Sequence, residues 1–100
     1  MTRAALSPEA IATALASLPG WRHEGDALLK SFQHQNFRDA MSFLVRVGFE
    51  AEQRNHHPEI TNVYGRVDLL LRTHDQGNRV TEMDLDLARS IEAFRGASAS

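Results

Sequence analysis

The sequence predicts an α+β domain of order αββαββα, a four-stranded antiparallel sheet with three helices packed on one face. Three observations carry this reading. Apolar residues recur at helical spacing in three segments, and strand-like runs fill the intervals between them. Each pair of strand-like runs is joined by a short turn signal, Gly25-Asp26 in the first and Gly65 in the second, so the hairpins are local and the sheet is antiparallel. The chain has 100 residues, enough for one domain and too few for two.

Ser7-Pro8-Glu9 opens the first helix. Ser7 can cap free backbone N–H groups, and Pro8 suits the first helical position, where no N–H partner is needed. Ile11, Leu15 and Leu18 supply its apolar stripe, and Pro19-Gly20 stops it. Residues 21–24 and 27–34 read as the first hairpin. Asn36 caps the second helix, with Asp39 three residues on, where a carboxylate favours the positive end of the dipole. Phe37, Ala40, Met41, Leu44, Gly48 and Ala51 mark one face of that helix. Pro58 removes a backbone donor and biases His57 away from helical geometry, so the helix ends near Asn55 or His56. Residues 60–64 and 66–74 make the second hairpin. Val67, Leu69 and Leu71 alternate there with Asp68, Leu70 and Arg72, one buried face and one wetter face. Leu70 breaks the wetter face and marks a candidate subunit contact. Thr81-Glu82-Met83-Asp84 reads as a capping box with aspartate in the usual glutamate place, and Met83, Leu87, Ile91 and Phe94 form the stripe of the last helix. Residues 1–6 and 96–100 are expected to fray.

Composition narrows the function. Hydrophobic residues make up 42% and charged residues 24%, an ordinary globular balance. There is no cysteine, which excludes thiol catalysis, zinc thiolates and disulfide stapling, and fits a reducing compartment. The formal charge is −2 with no basic run, which argues against direct nucleic-acid or membrane-surface binding. No apolar stretch approaches the roughly 20 residues that span a bilayer, and residues 1–6 lack the apolar core of a secretory signal. The expectation is a cytoplasmic protein.

The chemistry concentrates in Glu52-Gln53-Arg54-Asn55-His56-His57-Pro58. Glu52 and His56 are four apart, so on a continuous helix they share a side. His56 then sits at the negative end of the helix dipole beside a carboxylate, a recipe for a histidine that titrates near neutral pH. His57 leaves the helix and should point elsewhere. His74 ends the long strand and Asp84 begins the last helix, and these ends can converge at one edge of the domain. His23 and His34 read as surface histidines. A zinc site is a competing reading, since three histidines and a carboxylate could leave an open position for water. Adjacent histidines rarely ligate together on regular structure, and no H-x-H or H-x-x-x-H spacing occurs, so no metal is assigned. Phosphate loops and serine nucleophile elbows are absent.

The run Glu52-x3-His56-His57-Pro58-x5-Tyr64-x9-His74-x9-Asp84 resembles the signature of the pterin-4a-carbinolamine dehydratases. Asn62-Val63-Tyr64, Thr73-His74 and Leu18-Pro19-Gly20-Trp21 are also similar to family segments, and the likeness covers about residues 7–95. The resemblance implies the fold read above from the residues. It also implies an activity: dehydration of 4a-hydroxytetrahydrobiopterin, left by aromatic amino acid hydroxylases, to quinonoid dihydropterin, with no metal or bound cofactor. On this likeness His56 and His74 are the acid–base pair, His57 holds the pterin and Glu52 orients a histidine or the ring. Pro58, Asn55, Thr73 and Asp84 fall at substrate-binding or supporting positions. A homodimer or homotetramer is implied too. Departures are Asn55 where some members carry aspartate, Ile60 in place of a common tryptophan, Met83 in place of a common arginine, and a longer loop from His74 to Asp84 than in animal members. Two other functions compete. One is a non-catalytic interaction module, as animal members also bind a homeodomain transcription factor. The other is a different pterin role, such as molybdopterin metabolism, in the same pocket.

Overall fold

The computed structural model describes residues 4–98, with side chains through Arg95. The elements follow the predicted order: α1 Pro8–Leu15, β1 Arg22–Glu24, β2 Ala27–Gln33, α2 Phe37–Gln53, β3 Glu59–Val63, β4 Arg66–Leu71 and α3 Glu82–Ser98, with a 3-10 turn at His74–Gln76. The strands form one antiparallel sheet in the order β1-β2-β4-β3. The predicted caps are in place. Ser7 accepts from the N–H of Ala10 at 3.1 Å, and Asn36 from that of Asp39 at 2.8 Å.

The register puts Leu28 opposite Leu71, Lys30 opposite Leu69 and Phe32 opposite Val67. These positions form the inner face, and all three helices contribute to the core above it through Ile11, Val47, Leu87 and Ile91, each no more than 2% exposed. Burying one such side chain stabilises the fold by roughly 1.5–3 kcal/mol. Lys30 is the exception on this face. Its ammonium donates to the Pro19 carbonyl and to Glu92, both at 2.8 Å, so the charge is taken into the packing with its partners. The outer face carries the Leu29–Leu70 pair, and Leu70 is only half-buried there.

Two sequence expectations shift. The core stripe of α2 is Ala40, Phe43, Val47 and Ala51, while Phe37 is 52% exposed and Gly48 is also exposed. The helix has apolar residues on two sides, because Phe37, Val45 and Phe49 form a second, outward stripe, and periodicity alone does not choose between them. The N-terminal segment is also ordered earlier than expected. The Leu6 N–H donates to the Val80 carbonyl at 2.9 Å and Leu6 packs against the core, while α3 runs on to Ser98. Residues 1–3 and 99–100 of the expected frayed ends lie outside the described residues.

Candidate functional site

The site is made where α2 ends. Asn55 takes a left-handed conformation (φ 49°). The N–H of His56 reaches back to the Ala51 carbonyl at 3.0 Å, and that of Asn55 to Glu52 at 3.1 Å. This pair of bonds is a Schellman motif, followed, as is common, by a proline. Asn55, read from the sequence as a substrate contact, therefore has a backbone role first, since asparagine tolerates this conformation better than most residues. The reversal drives the two adjacent histidines apart. His56 is buried, its side chain 8% exposed, while that of His57 is 59% exposed.

The reversal also overturns the expected Glu52–His56 pairing. The left-handed residue breaks the helical period, so the i,i+4 rule no longer applies, and Glu52 Oε1 lies 2.9 Å from Nε2 of His57 instead. Glu52 is an exposed carboxylate behind His57 and is not among the residues lining the cleft.

His56 pairs with Asp84. Nε2 lies 2.5 Å from Oδ1 of a carboxylate that is fully buried. The other oxygen, Oδ2, accepts from the backbone N–H of Thr81 and from the Thr73 hydroxyl, both at 2.9 Å. The Thr81 contact is the reciprocal half of the capping box expected at the start of α3, and Thr81 Oγ1 accepts from the Met83 N–H at 3.2 Å. The two threonine hydroxyls are 2.7 Å apart. Thr73 spends its single hydrogen on Asp84, so Thr81 donates to Thr73 and the buried network is satisfied. Two substrate-binding expectations change as a result. Asp84 has no exposed surface with which to touch a ligand, and the Thr73 hydroxyl is consumed within the protein. The carboxylate accepts only, so the hydrogen of the His56–Asp84 contact sits on Nε2 and Nδ1 is the nitrogen left over.

His74 lies in the 3-10 turn beyond β4 and not at a strand end, because β4 stops at Leu71. It is exposed, and its Nδ1 is 2.7 Å from Oδ1 of Asn78.

These elements enclose a cleft of about 390 Å³, within the roughly 300–1,000 Å³ typical of small-molecule sites. His56, His57 and His74 all line it, together with Asn55, Pro58 and Thr73 from the expected set. Glu59, Asp75 and Met83 complete the wall; Met83 was noted from the sequence as a helix-stripe residue standing in place of a common arginine, whereas Glu59 and Asp75 were not singled out. Neither was Asn78, for which the only signal was the Gly77-Asn78 turn pair. A larger cleft of about 500 Å³ lies between Gln33, His34, Phe43, Arg46 and Phe94, and holds only one histidine. That histidine is not a plain surface residue as expected: its ring packs on Phe43 at 4.9 Å and Nε2 is enclosed. The smaller cleft gathers the acid–base groups. Among the described residues, no three histidine, aspartate or glutamate side chains are grouped to hold a metal ion, and no helix is long and apolar enough to cross a membrane.

The crystal structure of a transcriptional coactivator/pterin dehydratase from Brucella melitensis superposes with a TM-score of 0.84 at 37% identity, over 89% of this chain and 96% of that one. Relatives provisionally named pterin-4-alpha-carbinolamine dehydratase include one from Opitutus terrae, 55% identical over 78% of this chain and 80% of its own length. Another, from Mesorhizobium japonicum, is 43% identical over 96% of this chain and 99% of its own. Fold and relatives together define the class: the protein is a hydro-lyase of the α+β dehydratase type. The sequence profile of the pterin 4 alpha carbinolamine dehydratases matches residues 4–94, and the chain belongs to that family.

Proposed function

We propose that the cleft dehydrates pterin-4a-carbinolamine, 4a-hydroxytetrahydrobiopterin, by histidine acid–base catalysis, and so recycles the pterin cofactor of aromatic amino acid hydroxylases. The observation that carries this is the convergence of His56 and His74, from separate elements, on one cleft, each with one ring nitrogen held by a protein partner. Loss of hydroxide from C4a needs a proton on the leaving oxygen, and loss of the N5 hydrogen needs a base, roles that imidazoles fill well near neutral pH. His57, turned outward and backed by Glu52, supports the pterin, with Pro58 and Met83 offering apolar contact to its flat ring. The reaction as written uses no metal and no bound cofactor, and the cysteine-free chain suits the cytoplasm. The test is the dehydration rate of enzymatically generated 4a-hydroxytetrahydropterin with and without the protein, in the presence of a chelator. A large acceleration that His56→Ala and His74→Ala abolish is the expected result. No acceleration by folded protein would overturn the reading, and loss of activity with the chelator would overturn its metal-free form.

A second reading rests on the outward stripe of α2. Phe37, Val45 and Phe49 are 52%, 55% and 67% exposed, a row of large apolar groups that soluble surfaces usually cover. We infer that this face mediates self-association into a homodimer or homotetramer, and that the slightly acidic chain makes no direct nucleic-acid contact. Light scattering on Phe49→Glu should show a smaller particle than wild type. An unchanged mass would remove α2 from the interface.

A further inference from the structure

The loop between β4 and α3 holds a side chain that the acid–base reading leaves without a role. Thr73 and Arg79 close the base of this loop as an isolated antiparallel bridge, with the Thr73 N–H donating to the Arg79 carbonyl at 2.8 Å. Inside it, the 3-10 turn at His74–Gln76 is followed by Gly77 and Asn78 in left-handed conformations, φ 69° and 59°. Two such residues in succession reverse the chain and bring Asn78 back to His74. Asparagine is one of the few residues with a side chain that enters this backbone region readily. Its Oδ1 lies 2.7 Å from His74 Nδ1. An amide oxygen can only accept, so the hydrogen of this contact sits on Nδ1 and the neutral ring keeps a lone pair on Nε2.

His56 is set the other way round, with its hydrogen on Nε2 toward Asp84 and Nδ1 left over. The acid–base histidines of the cleft, His56 and His74, are therefore held through opposite ring nitrogens, one by a buried carboxylate and the other by a neutral amide.

We propose that Asn78 is a positioning residue for the dehydration: it holds His74 as the Nδ1–H tautomer, so that Nε2 is the base that takes the N5 proton. The proposal rests on the dehydratase reading above. His56 acts as the imidazolium, with Nε2–H toward the Asp84 carboxylate and a second proton on Nδ1, and delivers the Nδ1 proton to the departing oxygen. The C4a–O bond breaks with its electron pair going to oxygen, which leaves as water with the proton from His56. The N5–H bond gives its proton to His74 and its electron pair to the new C4a–N5 double bond. His74 ends the turnover one proton richer and His56 one poorer, and exchange with solvent restores both.

The test combines imidazole nitrogen NMR with steady-state kinetics. Asn78→Gly removes the amide while keeping a left-handed backbone accessible. Asn78→Asp keeps an acceptor that has no flipped alternative. In wild type the His74 nitrogen shifts should report Nδ1–H. In Asn78→Gly they should move toward a mixture, with kcat lower by on the order of tenfold, a share of the roughly 10²–10⁴ that acid–base catalysis contributes, and KM little changed. Asn78→Asp should restore the Nδ1–H tautomer and displace the pH–rate profile toward higher pH, as a carboxylate would favour the charged ring. Wild-type shifts reporting Nε2–H, or an unaltered tautomer and kcat in Asn78→Gly, would overturn the role of Asn78 with the dehydratase reading intact. A wild-type protein without dehydratase activity would overturn both, whatever the tautomer.

Discussion

The two sides of the cleft are built by different means. On one side His56 is buried and tied to Asp84, which also caps α3 and bonds Thr73 at the end of the sheet. On the other side His74 is exposed and depends on Asn78, four residues away in the same loop. Orientation on the buried side comes from the whole fold, so whatever loosens His56 also loosens the core. Orientation on the loop side is local and can be altered without cost elsewhere. Stability and rate should therefore fall together on one side and separate on the other.

The largest expected effect is at Asp84. Asp84→Ala removes the His56 partner and the reciprocal half of the capping box, and strands the Thr81 N–H and the Thr73 hydroxyl in the core. Stranding buried polar groups and losing a charged partner should cost about 3–5 kcal/mol, a large part of the roughly 5–15 kcal/mol that holds a domain together. Urea unfolding should show that loss, together with a fall in dehydration of about a hundredfold or more in whatever fraction stays folded. A stable, slow variant would mean that Asp84 serves only His56.

His74→Ala sharpens the contrast. Its rate should fall by about a hundredfold or more, while its unfolding midpoint stays within about 0.5 kcal/mol of wild type, as expected for an exposed loop residue. A rate loss accompanied by a large stability loss would show that the loop is coupled to the core after all.

The sequence carried the order of elements because turns and caps are local: Ser7-Pro8, Gly25-Asp26, Asn36 and the Thr81–Asp84 box each act within four residues. Gly65 was read as a turn residue too, but the constraint on it is long-range: a Cβ there would meet the carbonyl oxygen of His34, from the other hairpin, at 2.5 Å. The three histidines were equally visible, and they do share a cleft. Their partners were not. Glu52 was matched to His56 by helical spacing, but the left-handed Asn55 re-aims both histidines, and asparagine at that position also fits an ordinary polar loop. The Asp84–His56 contact spans 28 residues and the Lys30–Glu92 contact 62, and no periodicity reports such pairings. The two apolar stripes of α2 posed a different problem: each satisfies the helical period, and only the sheet decides which one is buried.

A smaller effect tests how the buried side is anchored. Glu50, one turn before the end of α2, accepts from Ser90 at 2.7 Å and from Arg46 and Arg54 at 3.0 Å, and Arg54 also reaches Asp86 on α3. The Ser90 hydroxyl, then the Arg46 and Arg54 guanidiniums, outweigh burial and hold the Glu50 carboxyl at about 2, below its usual 4.5. A carboxyl depressed in the folded state binds more protons when unfolded, so its contribution is complete above about 4.5 and is lost as pH falls toward 2. Urea midpoints measured across that window should decline less steeply for Glu50→Gln than for wild type. Parallel curves would show that this clasp of α2 to α3 does not contribute.

The smallest effect belongs to Glu52. The side chains of the His57–Glu52 pair are 59% and 79% exposed, and pairs so open to water contribute at most about 1 kcal/mol and weaken with salt. Glu52→Gln should therefore leave stability and kcat close to wild type and raise KM by at most a few-fold, a difference that shrinks as ionic strength rises. The reason is geometric: Glu52 lies outside the cleft and acts only by restraining His57, a ring that is itself largely exposed at the surface. A salt-independent collapse of kcat would place Glu52 on the substrate itself. It would then be a third acid–base group, and the division between a buried side and a loop side would no longer describe the site.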